Sequence, residues 1–200
     1  SSVHHFRKNE MIHCEGDTPT HMMILAAGKV KVYKDGVGSR TQIIRMLKPG
    51  EHFGYRAIIA NESYNTNVSA FEASSVYMLR ADIFISILRN NNAFCFRFLE
   101  EIASDLGASD ARTVNLTQKH IRGRLAEALL LLKKNYGVEE DGATINIYLS
   151  REDLANLSNM TTSNAIRTLS NFVNEHVIAM DGRKLKIIDD ERLVKISKMG

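Results

Sequence analysis

The chain of 200 residues lacks long apolar runs and lacks the pattern of a secretory signal. Its apolar runs, such as Ala128–Leu132, are far shorter than the roughly 20 residues that a membrane-spanning helix needs. No basic, apolar and small-residue succession opens the chain, although it begins without a methionine and an N-terminal piece could be missing. We therefore expect a cytoplasmic protein with no membrane partner.

Cysteine is scarce as well. Only Cys14 and Cys95 are present, far apart in the sequence. We expect both to be small buried apolar side chains in a reducing compartment. An iron–sulfur cluster normally needs four thiolate ligands, so no such cluster is expected within this chain.

Concentrated charge and catalytic motifs are also missing. The net charge is +3, spread evenly along the chain, so no strongly basic or acidic domain stands out. The seven histidines show no tight metal-ligand spacing apart from His4-His5, whose side chains would point to opposite faces of a strand. There is no serine–histidine–aspartate arrangement and no phosphate-binding glycine loop with a lysine. We expect no catalytic residues and no metal ligands.

Residues 1–92 have the pattern of an antiparallel β domain. Short apolar-rich runs alternate with glycine and asparagine turns: Met22–Ala26, Lys29–Tyr33, Thr41–Met46, Val68–Phe71 and Ser75–Arg80. Many short strands separated by such turns favour a sandwich or a small barrel. Asp82 to Leu88 then predicts a short helix, which Asn90-Asn91-Asn92 ends.

Residues 93–118 predict a long helix followed by a hinge. Cys95, Phe98, Leu99, Ile102 and Leu106 are spaced as one helical stripe. Pairing with the same helix of a second subunit would bury this stripe, which predicts a homodimer. The alternative is a helix that lies across its own barrel. Gly107 allows either a close helix–helix approach or a bend, and costs about 1 kcal/mol relative to alanine.

Residues 119–200 predict a winged helix-turn-helix. An amphipathic helix with Ile121, Leu125, Leu129 and Leu132 on one face precedes an alternating segment, Thr144–Leu149, that predicts a strand. Ser150 then caps a helix over 151–158, Asn159 breaks it, and Thr161 caps a second helix. An Asp181-Gly182 turn between two apolar runs predicts a closing hairpin, the wing. Packing between the two helices is assigned to Leu154, Leu157, Met160, Ala165, Ile166 and Leu169.

The second helix presents the side chains expected to read DNA, because arginine pairs with guanine, asparagine with adenine, and serine or threonine with base edges or phosphates. Ser150 and Arg151 are expected to hold backbone phosphates, and the hairpin tip to touch phosphate beside the groove. The predicted DNA-binding residues are Ser150, Arg151, Thr161, Thr162, Ser163, Asn164, Arg167, Arg183 and Lys184.

These motifs, in this order, resemble the bacterial regulators typified by the cyclic-AMP receptor protein and the fumarate–nitrate reductase regulator, the CRP/FNR family. The resemblance is carried by residues 13–33 (HCEGDTPTHMMILAAGKVKVY), 47–55 (LKPGEHFGY), 123–132 (GRLAEALLLL) and 149–169 (LSREDLANLSNMTTSNAIRTL). It implies an α+β fold: an N-terminal antiparallel β jelly roll, a long dimerisation helix and a C-terminal winged helix-turn-helix. It further implies a transcription regulator that binds a pseudo-palindromic double-stranded DNA site as a homodimer, with RNA polymerase as a partner.

The resemblance also implies where an effector would bind, and there the sequence departs from the cyclic-nucleotide pattern. Gly54 is kept, but Tyr55 and Arg56 follow where a glutamate would hold the ribose. Tyr64-Asn65, or Asn65-Thr66, replaces the arginine–serine pair that neutralises the cyclic phosphate. The two positions of the long helix that reach the base hold Ser109 and Asp110. The predicted effector pocket is Gly54, Tyr55, Arg56, Tyr64, Asn65, Thr66, Ser109 and Asp110, and we expect that it does not bind cyclic AMP in the usual way.

The recognition helix departs too. Of the arginine–glutamate pair and later arginine that read a G·C-rich half-site in some members, only Arg167 remains, with Thr162 and Ser163 at the other positions. Two other hypotheses stay open on sequence alone: a nucleotide- or small-molecule-sensing module that acts on protein partners, and a cupin-like metal enzyme. The identity of the effector is unknown.

Overall fold

The computed structural model describes residues 2–199, except the side chain of Ser39. The chain divides between Gly107 and Ala108 into two compact units, each with its own buried core. Within the described residues, no helix is both long and apolar enough to cross a membrane.

The first unit is built on two four-stranded antiparallel sheets. One sheet has the order β1 (Ser2–Phe6), β8 (Ser74–Arg80), β3 (His21–Ala27) and β6 (His52–Phe53). The other has the order β2 (Met11–His13), β7 (Asn67–Ala70), β4 (Val30–Asp35) and β5 (Thr41–Leu47), with a short 3-10 turn at Val37–Ser39 between β4 and β5. These non-sequential strand orders are those of a jelly roll, so the predicted fold class is confirmed.

The five strands predicted from apolar runs are present, with ends within two residues of their predicted positions. Three further strands, β1, β2 and β6, were not predicted. β1 has four exposed residues out of five and includes His4 and His5, so it lacks the apolar alternation that marks a half-buried strand. β2 and β6 are only three and two residues long.

The core of this unit lies between the sheets and consists of Met23, Leu25, Val30, Val32, Leu47, Phe53, Ala57, Tyr64, Val68 and Val76. Gly28 is required at the turn between β3 and β4. Its φ is +88°, and a Cβ there would stand 2.4 Å from Oγ of Ser74 and 2.5 Å from the carbonyl oxygen of Ala73. Any side chain at this position would push the turn away from β8.

Three helices accompany the sheets: α1 (Tyr55–Ala60), α2 (Ala81–Asn90) and α3 (Asn92–Gln118). The predicted stripe of α3 divides between two faces. Phe98 is buried against Tyr55, Phe84 and Met22, and Ile102 is partly buried beside them. Cys95, Leu99 and Leu106 are exposed, with exposed fractions of 57% for Leu99 and 62% for Leu106. The single-stripe prediction was therefore wrong, because residues 98 and 99 differ by about 100° around a helix.

Both cysteines are exposed, which contradicts their predicted burial. Cys14 follows β2 in a turn where its backbone N–H donates to Asp17, and Cys95 lies on the outer face of α3. Small apolar character alone did not determine their position.

The second unit contains α4 (Ile121–Tyr136), α5 (Arg151–Leu157), α6 (Thr162–Asn174), the hairpin β9 (Ile178–Asp181) and β10 (Lys184–Ile187), and α7 (Asp190–Met199). Leu125, Leu129 and Leu132 of α4 are buried, as predicted.

The predicted strand over Thr144–Leu149 is absent: this segment makes only isolated bridges through Thr144 and Ile145. Its alternating residues are buried, but a hydrogen bond from the Ile147 N–H to the Ile145 carbonyl bends the chain away from a continuous ladder.

Candidate nucleic-acid interface

Helices α5 and α6 are joined by a tight turn, and each begins at the predicted cap. The Ser150 hydroxyl accepts from the Asp153 N–H at 3.0 Å, while the Asp153 carboxylate accepts from the Ser150 N–H, which completes a capping box. The Thr161 hydroxyl accepts from the Asn164 N–H at 3.3 Å. Between the helices, Asn159 has a φ of +50°, so the chain reverses at the predicted break.

The two helices pack through apolar side chains of the inner face of α6. Leu154 and Leu157 of α5 and Ala165 and Leu169 of α6 are buried, as predicted. Thr168 and Phe172, which the sequence analysis did not assign, complete this face. Ile166 was assigned to it, but its side chain is 49% exposed, so that prediction was wrong.

The outer face of α6 carries the polar residues predicted to read DNA. Thr162, Ser163 and Arg167 are exposed, and Asn164 is partly buried. The Arg167 guanidinium donates to the amide oxygen of Asn164 at 2.9 Å, one turn toward the N-terminus of the helix. This hydrogen bond restricts the conformations of the Arg167 guanidinium group in the absence of DNA.

The wing is tied to the start of α5. The Arg151 guanidinium donates to the Gly182 carbonyl oxygen at 2.5 Å, and Gly182 turns the hairpin with a φ of +56°. Arg151, predicted as a phosphate contact, thus already serves as a brace for the wing. Arg183, at the hairpin tip, is exposed, and its side chain forms no hydrogen bond or ion pair with the described residues 2–199.

Lys184 is the more restrained of the two wing cations. Its ammonium group lies 3.1 Å from the Glu139 carboxylate and 5.3 Å from the centre of the Tyr148 ring. Tyr148 also donates to Glu139. A phosphate contact by Lys184 would therefore compete with an existing acidic partner.

An ionic cluster that the sequence did not predict holds the far end of α6. Glu175 accepts from Arg122 of α4 at 2.5 Å and from Arg192 of α7 at 3.0 Å. The Arg122 hydrogen bond lowers the pKa of the Glu175 carboxyl. Residues 122, 175 and 192 are far apart in sequence, so no local spacing could have indicated the cluster.

Six of the eight predicted effector residues lie in the first unit, hereafter the β unit, and Gly54 and Tyr64 belong to its interior. Gly54 has a φ of +79°, and a Cβ there would stand 2.7 Å from Cε of Met23 and 3.4 Å from the Tyr64 hydroxyl oxygen. Tyr64 is buried, and its hydroxyl donates to the His21 carbonyl at 3.3 Å. Burial raises the pKa of Tyr64 to about 12.

Tyr64 stacks on His13, with ring centroids 3.7 Å apart. His13 is 9% exposed, and burial lowers the pKa of its imidazole to about 4. Asn65 is exposed, and its carbonyl accepts from Lys34 at 3.1 Å. The neighbouring Thr66 is partly buried, and its backbone interacts with His13. The interior position of residue 64 is therefore filled by two stacked rings.

Tyr55 and Arg56 begin α1 and face different surroundings. Tyr55 is buried, while Arg56 forms an exposed ion pair with Glu62 at 3.0 Å. Ser109 and Asp110 are exposed on α3, and the Ser109 carbonyl accepts from the Thr113 hydroxyl. Arg56 thus has a surface partner rather than an interior one.

Four polar residues that the sequence did not indicate connect α3 to the strands of the β unit: Arg45, His52, Glu101 and Asp105. The Asp105 carboxylate accepts from Arg45 of β5 at 2.7 Å and from the Tyr55 hydroxyl at 2.8 Å. Nearby, His52 is hydrogen-bonded to Glu101 at 3.0 Å. Across residues 2–199, no three histidine, cysteine, aspartate or glutamate side chains form a group that could hold a metal ion.

Two domain models match the chain in the order of its two units. The cyclic nucleotide-binding domain matches residues 3–91, and the Crp-like helix-turn-helix domain matches residues 123–196. The chain belongs to the CRP/FNR family. Like the family members it resembles, it is a DNA-binding transcription regulator and not an enzyme.

Relatives within the CRP/FNR family are similar along almost the whole chain. A CRP-like cAMP-activated global transcriptional regulator of Mycobacterium tuberculosis is 22% identical over 191 residues, 95% of this chain and 85% of the relative. A global nitrogen regulator of Nostoc is 22% identical over 92% of this chain and 84% of the relative. The solved structure of FixK2 from Bradyrhizobium japonicum has a TM-score of 0.88 at 20% identity, covering 98% and 96% of the two chains, and this likeness shows the shared fold.

Proposed function

We propose that this CRP/FNR regulator acts as a homodimer that reads a two-fold-related DNA site through α6, with a β unit that does not bind cyclic AMP in the usual way. The observation that carries the dimer is the outer stripe of α3: Phe96, Leu99, Ala103 and Leu106. Their spacing of three, four and three residues is that of the a and d positions of a coiled coil. Phe96, Leu99 and Leu106 are each more than half exposed in the single chain.

Burial of this outer stripe against its two-fold copy would remove apolar surface from water, which favours association. Phe98 and Ile102 on the neighbouring face are already occupied by the β unit. One helix thus uses separate faces for its own sheet and for a second copy.

For DNA, the support comes from the exposed polar face at the start of α6. The N-terminal residues of a recognition helix contact base edges in the major groove. Thr162, Ser163 and Arg167 are exposed there, and we assign Thr161, Asn164, Ser150, Arg151, Arg183 and Lys184 to supporting or phosphate contacts. Two such helices related by a dyad require a pseudo-palindromic site.

For the effector, the support comes from the filled interior of the β unit. By the family resemblance, Tyr64 or Asn65 takes the place of the arginine that would neutralise a cyclic phosphate, and Tyr64 is stacked on His13. Arg56, the cation that could substitute for that arginine, pairs with Glu62 at the surface. Binding a cyclic phosphate would require moving Tyr64 and breaking the Arg56 pair.

The test combines association state and DNA binding. In sedimentation velocity, the unmodified chain should be a dimer, and Leu106→Glu should be monomeric and lose binding to a duplex selected from random sequence. Ile87→Glu is the matched control, because Ile87 is an exposed apolar residue of α2 outside the outer stripe, and it should remain dimeric. Calorimetric titration with cyclic AMP should show no saturable binding. A monomeric unmodified chain, or one that binds only protein partners and no duplex, would contradict the proposal.

A further inference from the structure

Ile166 is an exposed apolar residue in the first half of the recognition helix α6. It is 49% exposed and lies next to Arg167, three residues after Ser163 and four after Thr162. The buried residues of the same helix lie on its other side and belong to the core of this unit: Ala165, Thr168, Leu169 and Phe172. Packing within the unit therefore does not account for the isoleucine.

Helix formation does not account for it either. A β-branched side chain has lower helix propensity than alanine, lysine or glutamate, the residues that an exposed helix position favours. Single exposed apolar side chains are common on protein surfaces. This one, however, lies in the first half of a helix whose N-terminal residues approach base edges, surrounded by hydrogen-bonding side chains.

The side chains around Ile166 leave about half of its surface exposed. Arg167 directs its guanidinium to the Asn164 amide oxygen, one turn toward the N-terminus. On the following turn, Ser170 uses its hydroxyl to donate to the Ile166 carbonyl oxygen at 3.0 Å. Neither polar neighbour is therefore laid across the isoleucine.

We propose that Ile166 is a specificity-determining residue that packs against the C5-methyl group of a thymine in each half-site. Among the four bases, only thymine presents a methyl group in the major groove, and apolar side chains are the groups that contact it. The half-site would then place an A·T pair beside the base that Arg167 contacts. This inference rests on the proposed reading of DNA by α6, and adds to it one base that hydrogen-bonding residues do not specify.

The experiment uses the full chain and a duplex selected by it from random sequence. Each thymine of one half-site is replaced in turn by deoxyuridine, which keeps base pairing and O4 but lacks the methyl group. At one position this change should weaken binding of the unmodified chain about fourfold, the value expected for one buried methyl group. Ile166→Ala removes three carbon atoms, so the side chain should no longer reach that methyl group, and this variant should bind the thymine and uracil duplexes equally.

Val173→Ala is the matched control. Val173 is also an exposed apolar residue of α6, but lies two turns farther toward the C-terminus, so this variant should keep the thymine preference. Thermal unfolding followed by circular dichroism should show both variants folded, because alanine favours a helix. A selected site with no thymine preference, or an Ile166→Ala chain that retains the preference, would overturn this inference alone. Failure to select any sequence would overturn the proposed DNA reading as well.

Discussion

The Tyr55 hydroxyl donates a hydrogen bond to the Asp105 carboxylate at 2.8 Å, which joins the start of α1 to the middle of α3. The same carboxylate oxygen accepts from Arg45 at 2.7 Å, so one acidic residue of the long helix holds two residues of the β unit. Burial, with this hydrogen bond, raises the pKa of Tyr55 to about 12.

Tyr55→Phe removes the bond and leaves Asp105 with Arg45 alone. We expect a loss of about 1 kcal/mol at neutral pH, typical of one hydrogen bond. In the unmodified chain, stability should also fall as pH rises above about 10, because the unfolded tyrosine ionises there while the folded one holds its proton until about 12. This alkaline loss should be smaller in the variant, although Tyr64 still contributes to it. Thermal unfolding at pH 7 and 10.5 gives the comparison; equal alkaline losses would contradict the role of Tyr55.

His13 predicts a loss of stability in weak acid. Its folded pKa is about 4, below the usual histidine value of 6.5, so between these values the unfolded state binds the proton and the folded state does not. The free energy of unfolding is unaffected by His13 above about pH 6.5, and it should decline by roughly 3 kcal/mol as pH falls to about 4. His13→Phe keeps a ring against Tyr64 and should flatten this decline. Urea unfolding followed by tyrosine fluorescence at pH 7 and 5 measures it, with His4→Phe, an exposed histidine of β1, as control.

Arg167 and Asn164 should act together in base reading. Arg167→Ala is expected to relax specificity at one base pair by about 1–3 kcal/mol. Asn164→Ala should cause a smaller relaxation at the same pair, since it removes the group that orients the arginine. Competition binding on duplexes mutated at each position tests this, with Ser170→Ala as control. If the selected half-site were the one used by the cyclic-AMP receptor protein, the predicted difference in recognition would be wrong.

Arg151 distinguishes a phosphate contact from a brace. If it contacts phosphate, Arg151→Met should lower the slope of log affinity against log salt by about 1. If Arg151 instead braces the wing through its hydrogen bond to Gly182, Arg151→Met should leave the slope almost unchanged. The same variant should weaken the contribution of Arg183 to DNA affinity, because the wing tip is no longer held in place. The double variant with Arg183→Met should therefore lose less than the sum of the single losses. Strict additivity would contradict the brace.

Gly107 tests how closely two α3 helices approach. A Cβ at this position meets no atom within 4 Å in the single chain, so contacts within it do not require glycine. Gly107→Ala should stabilise an isolated helix by about 1 kcal/mol. If the dimer brings two backbones together here, the same change should instead weaken dimerisation. Sedimentation equilibrium of the variant decides between these outcomes; we expect the weaker dimer.

Local sequence patterns were sufficient for most of the architecture. Alternation and glycine turns located five strands, and helical spacing located α3 and α4. Capping residues located α5 and α6 because Ser150 and Thr161 satisfy backbone N–H groups within their own first turns. The Asp181-Gly182 turn located the wing for the same reason, since its geometry depends only on adjacent residues.

What the pattern did not determine depends on contacts between distant residues. Ile166 fits the apolar spacing of α6, yet which side of its helix is covered depends on the elements that pack there. Thr144–Leu149 alternates like a strand, but a strand also needs a partner along its whole length. The sequence alone indicated that Tyr55, Arg56 and Tyr64 differ from the residues of a cyclic-nucleotide-binding pattern. Their partners Asp105, Glu62 and His13 were decided by tertiary structure alone, because hydrogen bonding and stacking require positions in space that no spacing along the chain specifies.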